Sequence, residues 1–512
     1  MAQPLTPLAL TAPGFYGLNT QDSPSDMDER FALEASNCVI DKSGRISSRK
    51  GWVPANSSSV DLGSNAVECA AELIRNDGTS TILCAGNGKL FKLSGGALVQ
   101  LTYGGGGVAP TITTNLWQTA ALNDRLVFFQ RGYDPLVYDP AVSTTTFRRI
   151  SEQTSYAGTA PQAHCVVSAY GRIWAADTTS NKNTIYWTDT LTTQVWSTGT
   201  AGSLDLTGVW PSGGDQIVAL AAHNNFLFIF GHRQILIYSG ADDPTTMILS
   251  DSINNIGCVV RDSVQSTGED VIFLSDSGVR SLMRVVQEKS APIRTVSRNV
   301  NDDIQQYVDI ENGDEVISAY SPNELFYLLT FKNRGVTYCF DMRSPLQDGS
   351  SRTTTWTNIT PKCYLQTQSR QLYLGQTGYL GLYSGYDDNG TQYRMVYYTS
   401  WLDFGKPVAL IILKKLVYQL IGARGQPVVI KWGFDYNYAV NADSRSLTVQ
   451  SFAEYGISEY GIDEYNPNVM LNRIDINASG SGKLAQLGFE ALVNQYALAI
   501  QKIEIYGKEG RI

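Results

Sequence analysis

The sequence is poor in charge, in histidine and in long apolar runs, and each shortage excludes a class of function. Charged residues make up 17% of the 512, against about 25% in an ordinary globular chain. Lys and Arg number 39 against 48 Asp and Glu, a net charge of −9, and the basic residues form no run. A protein that grips nucleic acid by its phosphates needs a basic face, so tight phosphate binding is not expected. No stretch reaches the ~18 apolar residues of a membrane-spanning helix. The longest, Val408 to Ile421, has 14 residues and is broken by Lys414 and Lys415. The first residues carry no basic segment and are interrupted by Pro4, Pro7 and Pro13, which does not read as a secretory signal. Membrane insertion is not expected.

Three histidines, His164, His223 and His232, leave little for metal or acid–base chemistry. His223 and His232 flank one apolar run nine residues apart, an odd separation that puts them on opposite faces of a regular strand. No metal site is expected. Seven cysteines stand singly at 38, 69, 84, 165, 258, 339 and 363. With an odd count, no Cys-x-x-Cys pair and apolar surroundings, they read as small buried hydrophobes of a chain made in a reducing cytoplasm.

Cofactor motifs also fail. Ser479-Gly480-Ser481-Gly482-Lys483 and Ala85-Gly86-Asn87-Gly88-Lys89 lack the Ser or Thr after the Lys and the earlier Gly of a phosphate loop, and both read as hairpin turns. Gly104 to Gly107 lacks the strand and helix of a dinucleotide fingerprint, and no Gly-x-Ser-x-Gly elbow is present. No cofactor is expected.

What is abundant is glycine, with 46 residues, and tyrosine, with 28. Together with Ser and Thr this composition predicts an all-β protein rich in tight turns. A polar or glycine turn leading into an aromatic strand recurs at Asn87, Asn123, Gly171, Asn224, Asp276, Asn323 and Arg370. A second aromatic strand follows most copies, as in Leu136-Val137-Tyr138, Ile235-Leu236-Ile237-Tyr238 and Val336-Thr337-Tyr338. Hairpins repeated at about 40 to 50 residues are the mark of a β-propeller. One blade leaves two apolar faces bare, and only a ring of blades covers them all. Six or seven blades are expected over residues 61–395; a β-sandwich or solenoid of similar hairpins is the alternative.

Residues 1–60 read differently, as an extended N-terminal arm and a hairpin around Lys42-Ser43-Gly44 that docks on the platform or a neighbour. Beyond residue 395 the repeat stops. Val428, Ile430, Trp432, Phe434 and Tyr436 alternate onto one face, and Lys502 to Tyr506 alternates as well. Residues 396–512 therefore read as an antiparallel β-sandwich platform with one wet face. Between these strands, Glu454-Tyr-Gly-Ile-Ser-Glu459-Tyr-Gly-Ile-Asp463-Glu464-Tyr has a five-residue period that fits neither helix nor strand, and reads as a long loop.

Two enzyme signals are weak. Asp189 to Trp196 resembles the Asp-box turn of sialidase-type propellers, without its glycine and in one copy. A carboxylate pair for glycoside hydrolysis is a matter of space and not of sequence.

Several segments in order resemble one family. Gly17-Leu18-Asn19-Thr20, Asn37 and Gly44-Arg45-Ile46-Ser47-Ser48-Arg49-Lys50-Gly51 resemble the opening of tail nozzle or hub proteins of short-tailed, podovirus-like bacteriophages, also called packaged-DNA stabilisation proteins. Gly171 to Trp174, Ile185 to Asp189, Asp215 to Leu220, Phe226 to Tyr238, Ile256-Gly257-Cys258 and Asp270 to Gly278 are similar to that family's propeller core. Trp401 to Gly405 and Ile503 to Arg511 are similar to its end.

The resemblance implies a non-enzymatic virion structural protein, made in the host cytoplasm and placed in the tail. It would form a homo-hexamer below the portal adaptor (the head-to-tail connector), retain packaged DNA and serve as the conduit for ejection. Passing double-stranded DNA would touch it without sequence preference, and a tail fibre, spike or needle is a further candidate partner. The chain is compact for the family, which leaves the tip and fork insertions of larger members, and closure of the channel, unassigned. An acidic conduit repels phosphates and lets DNA pass. Glu454, Glu459, Asp463 and Glu464 are the candidate channel or partner surface; a solvated loop packing its tyrosines is the plainer reading of the same residues. A sialidase-like propeller glycan hydrolase, with a carboxylate pair or arginine cluster in its central pocket, and a monomeric propeller binding module are the alternatives.

Overall fold

The structure is a computed structural model and describes residues 7–57, 61–283, 286, 295–310, 315–406, 408–422, 425–437, 440–447 and 472–510. The aromatic runs become strands because the turns before them fix hairpin geometry. Asn87-Gly88, Asn123-Asp124, Tyr170-Gly171 and Asn224-Asn225 all have positive φ at both residues. Type I′ turns require that pair, and Asn, Asp and Gly adopt it most readily.

These hairpins build a ring of seven sheets. Blade 1 holds Cys69–Ile74, Ser80–Gly86, Lys89–Ser94 and Ala97–Gln100; blade 2 holds Gln118–Leu122, Arg125–Phe129, Leu136–Tyr138 and Thr146–Arg149. Blade 3 holds Cys165–Ala169, Arg172–Ala176, Thr184–Trp187 and Gly202–Asp205; blade 4 holds Ile217–His223, Phe226–Gly231, Gln234–Ser239 and Ile248–Asn254. Blade 5 has three strands among the described residues, Gln265–Ser266, Val271–Ser275 and Gly278–Ser281. Blade 6 holds Val316–Ser321, Phe326–Phe331, Val336–Asp341 and Arg352–Trp356. Blade 7 holds Tyr364–Gln366, Leu372–Gln376 and Tyr379–Tyr383, and its outer strand is Trp52–Pro54. Among the described residues five blades thus have four strands, blade 2 adds Thr102–Tyr103 as a fifth, parallel to Thr146–Arg149, and blade 5 has three. The first strands of successive blades adjoin, blade 4 meeting blade 5 through the turn Arg261–Ser263, and that of blade 7 returns to blade 1.

Two of the seven sequence markers sit one strand later than the rest. Asn87 and Asp276 begin the turn between the second and third strands of their blades, whereas the others join the first and second. The offset at Asn87 accounts for the short step from it to Asn123.

Every gap between blades is filled by apolar side chains, as the ring requires. Phe128 and Tyr138 meet Leu83 and Leu90 between blades 2 and 1, and Trp174 and Trp187 meet Leu227 and Ile229 between blades 3 and 4. The gap between blades 5 and 6 is the exception. Ile272, Leu274, Tyr327 and Leu329 there belong to one core with the platform.

The platform is a two-sheet sandwich. One sheet continues from Arg352–Trp356 of blade 6 through Gly17–Leu18, Phe31–Ser36, Tyr393–Thr399, Ala485–Val493 and Pro427–Phe434 to Asn441–Ser446. The other pairs Leu410–Gly422 with Asn472–Ile476 and with Leu498–Gly510, which also takes Leu8–Thr11 and the hairpin Cys38–Ile40/Ile46–Ser48. The sheets meet over Leu416, Leu420, Ile503 and Ile505 on one side and Met395, Leu487 and Ile430 on the other, with the Tyr418 and Phe489 rings stacked at 5.9 Å.

The strand pairing does not follow the divisions at residues 60 and 395. Residues 8–48 are woven into both platform sheets, Trp52–Pro54 closes the propeller, and Tyr393–Thr399 straddles the later boundary. A ring needs its last edge paired, and the chain's beginning supplies that strand. The alternation from Val428 holds to Phe434, where the strand stops. Asp435 and Tyr436 then turn with φ of 51° and 58°, and exposed Tyr436 rests on Trp401, ring centroids 4.8 Å apart.

Candidate functional site

Three polar constellations stand out: a buried junction, the mouth of the propeller channel and an acidic cleft.

The junction contains the N-terminal residues that carry the family resemblance. Arg49 is wholly buried; its Nη1 and Nη2 donate to Asp388 Oδ1 and Oδ2 at 2.8 and 2.7 Å, and its Nε to Asn37 Oδ1 at 3.1 Å. Its guanidinium lies 3.9 Å from the Tyr393 ring centroid, and the Tyr393 hydroxyl donates to the Arg49 carbonyl. Burial pushes that phenol up, against the Arg49 charge. Asn37, at φ 52°, also accepts from Thr357 N and donates to Arg394 O and Thr357 Oγ1. It therefore joins blade 6, the hairpin and the platform. Glycine is required twice here. A Cβ on Gly17 would lie 2.3 Å from Thr353 O, and one on Gly51 would lie 1.7 Å from Asp387 O.

The channel mouth opens on the side where each blade's first strand begins and its second strand ends. A cavity of about 270 Å³ there is walled by Arg131, His164, Asp177, Lys182, Gln216, His232 and residues 259–262. Arg131 and Lys182 both bind the buried Asp177 carboxylate, Lys182 at 2.9 Å. Arg261, on the short turn before blade 5, is clasped by Asp262 through two bonds of 2.7 Å. It reaches across to the carbonyls of Leu116 and His164 at 3.3 and 2.8 Å and to His164 Nδ1 at 3.2 Å. Burial, then the charges of Arg261, Arg131 and Lys182, push the His164 imidazole down to about 2. A neighbouring chamber of about 200 Å³ shares Arg261 and Asp262 and adds Glu68, Lys332 and Lys362.

The acidic cleft, about 620 Å³, lies between residues 25–30 and 400–403 and presents Asp26, Asp28, Glu29 and Asp403 with one cation, Arg30. Arg30 is held by Asp28. Burial, then Asp28 and Asp403, push Glu29 up, only partly opposed by Arg30. Fully buried Asn19 shapes the loop by accepting from the backbone of Gln21 and Asp22. Thr20 and Gln21 tie it to Asp303 and Asp302 in the first turn of the helix Asn301–Ile310.

Of the residues singled out in the sequence, Glu454, Glu459, Asp463 and Glu464 lie outside the described residues. His223 ends the first strand of blade 4 and His232 follows its second, at opposite ends of the blade. Among the described residues no three His, Cys, Asp or Glu side chains are grouped to hold a metal. All seven cysteines are buried, and burial pushes every thiol up. Asp189 serves its turn, accepting from the backbone and hydroxyl of Thr200. The channel-mouth carboxylates Asp177 and Asp262 are both engaged in ion pairs of the wall.

Sequence reasoning missed the channel mouth. Its signal was present, because Arg131, Asp177 and His232 all follow second strands and His164 and Arg261 precede first strands. Superimposing the repeats would have gathered them at one end.

Fold and sites define a β-propeller protein with an attached sandwich platform, and no protein-family model or curated protein sequence matches the chain. Among solved structures it is similar to the extracellular domain of a one-component system protein from B. thetaiotaomicron, with a TM-score of 0.40 and 14% identity over 66% of this chain and 40% of that one. It is also similar to the Neurospora crassa Pan2 WD40 domain, with a TM-score of 0.38 and 10% identity over 70% of this chain and 98% of that one. The WD40 domain of Toxoplasma gondii coronin gives a TM-score of 0.37 and 9% identity over 69% and 87%. Likenesses this distant carry no argument about function; the ring of sheets itself defines the fold.

Proposed function

We propose that this chain is a non-enzymatic structural subunit of a short viral tail, the nozzle or hub that sits below the portal adaptor as a homo-hexamer, retains packaged DNA and conducts it out. The observation that carries the reading is where the resembling residues fall. Gly17, Asn37, Arg49 and Gly51 hold the N-terminal segment, propeller and platform together, so they define a scaffold rather than a reaction centre. The acidic cleft adds a physical reason. A wall carrying four carboxylates against one guanidinium repels a phosphate backbone and favours passage over retention on the wall.

Electron microscopy of the purified protein, alone and mixed with an adaptor ring, tests this. Six-fold rings with a central hole are expected. A persistent monomer in both samples, with glycan hydrolase activity, would overturn the reading in favour of a sialidase-like propeller.

A further inference from the structure

We propose that the channel mouth between blades 2 and 5 is a binding site for a small oxyanion, whose phosphate or carboxylate oxygens are held by Arg131 and Lys182 with His232 and Gln216 at the rim. The site is independent of the assembly the chain enters.

Its charge is unusual for this molecule. The chain carries −9 overall, yet here two cations, Arg131 and Lys182, share the carboxylate of Asp177, beside the Arg261–Asp262 pair. A positive surplus therefore faces a cavity of about 270 Å³, room for roughly nine waters at ~30 Å³ each, or for one oxyanion and part of its hydration shell. Burial is the first cause that holds His164 neutral, and the charges of Arg261, Arg131 and Lys182 act in the same direction.

The cations are also placed to act on a ligand. Asp177 is buried and fixed, while the Arg131 and Lys182 side chains are 38% and 32% exposed. Each meets Asp177 from one side and keeps its remaining N–H donors for solvent or a guest. In the adjoining chamber Lys362 has no ion-pair partner among the described residues, so a longer anion could extend toward it past Arg261.

Isothermal titration calorimetry on the full chain at fixed ionic strength tests the site, with inorganic phosphate and citrate as separate probes and sodium chloride as the reference. Saturable binding of phosphate, citrate or both is expected, and which one binds tells a phosphate-bearing ligand from a carboxylate-bearing one. Arg131→Gln and Lys182→Gln should each raise the dissociation constant about tenfold, the usual weight of one charge-assisted hydrogen bond. Either change leaves Asp177 one cation, so folding should survive, which circular dichroism would show. Lys414→Gln removes an exposed charge from the platform instead and should leave binding unchanged. No saturable heat with either probe would overturn the proposal, as would a loss on Lys414→Gln equal to that at the channel mouth.

Discussion

The propeller blades and the junction that fastens them to the platform hold together by opposite means. Apart from blade 7, which borrows Trp52–Pro54, a blade is made of strands next to one another in sequence, linked by turns and sealed by an apolar gap against each neighbour. The junction is made of strands from residues 8–54, 352–356, 393–399 and 485–510, locked by the buried Arg49–Asp388–Asn37 set. A change within one blade is met by its own turns and by the gaps to its neighbours. The junction is cross-linked, so a fault there is felt by three parts of the chain at once. Local construction tolerates variation, and long-range polar construction specifies one arrangement.

Removing Arg49 is the strongest way to sharpen that contrast. Arg49→Ala leaves the Asp388 carboxylate and Asn37 amide without their guanidinium and takes the cation from the Tyr393 face. Breaking one partner out of a buried pair costs about 3–5 kcal/mol, and chemical unfolding should read a loss of that size. Arg49→Lys should recover little, since a point charge cannot match both carboxylate oxygens. A loss below about 1 kcal/mol for Arg49→Ala would mean that the junction is apolar in substance and its ionic lock incidental.

Acid should separate the two regions next. His164, in the propeller, is held down to about 2 from 6.5. The unfolded chain therefore takes up its proton as pH falls below 6.5 while the folded chain does not. The His164 contribution is whole above that value and diminishes toward the folded pKa, by about 2 kcal/mol at pH 5. Glu490, in the platform, is held down to about 2 from 4.5; burial acts upward but hydrogen bonds from Arg394, Lys431 and Tyr398 outweigh it. Its contribution is present above 4.5 and lost as pH falls toward 2, on the order of 1–2 kcal/mol once solvent screening is allowed for. Urea unfolding of His164→Gln should thus show a flatter pH profile between 6.5 and 5, and that of Glu490→Gln only below 4.5. Identical profiles in both variants would remove the electrostatic distinction between propeller and platform.

The same contrast governs how much could be read from residues alone. Blades were legible because their information is local: Asn224-Asn225 followed by Phe226-Leu227-Phe228 announces a turn and a strand within a few residues. The junction was legible as an arm and a hairpin to be docked, without the partners that its Gly, Asn and Arg residues meet. Arg49 and Asp388 are 339 positions apart, and nothing in either segment names the other. The assignment of Trp52–Pro54 to an arm failed for that reason, since its partner is Tyr379–Tyr383. The channel mouth was half-legible. Its charges occupy equivalent places in the repeat, but their meeting depends on ring closure, and Arg261 crosses from blade 5 to the starts of blades 2 and 3.

The smallest expected effect tests the local side of the comparison. Asn224 and Asn225 turn with φ of 47° and 63° between the two strands whose residues fill both gaps around blade 4. Asn enters the left-handed region more cheaply than residues without its short amide, and Gly enters it freely. Asn224→Ala should therefore cost roughly 0.5–1 kcal/mol, while Asn224→Gly should be near neutral, both read by urea unfolding. Because neighbouring blades contribute their own turns, doubling the change with Asn123→Ala should add the two losses, as sites in separate blades without shared partners do. An Asn224→Ala loss as large as that of Arg49→Ala, or a strongly non-additive double variant, would mean that blades are coupled as tightly as the junction. In that case the ring, and not the blade, is the unit of stability.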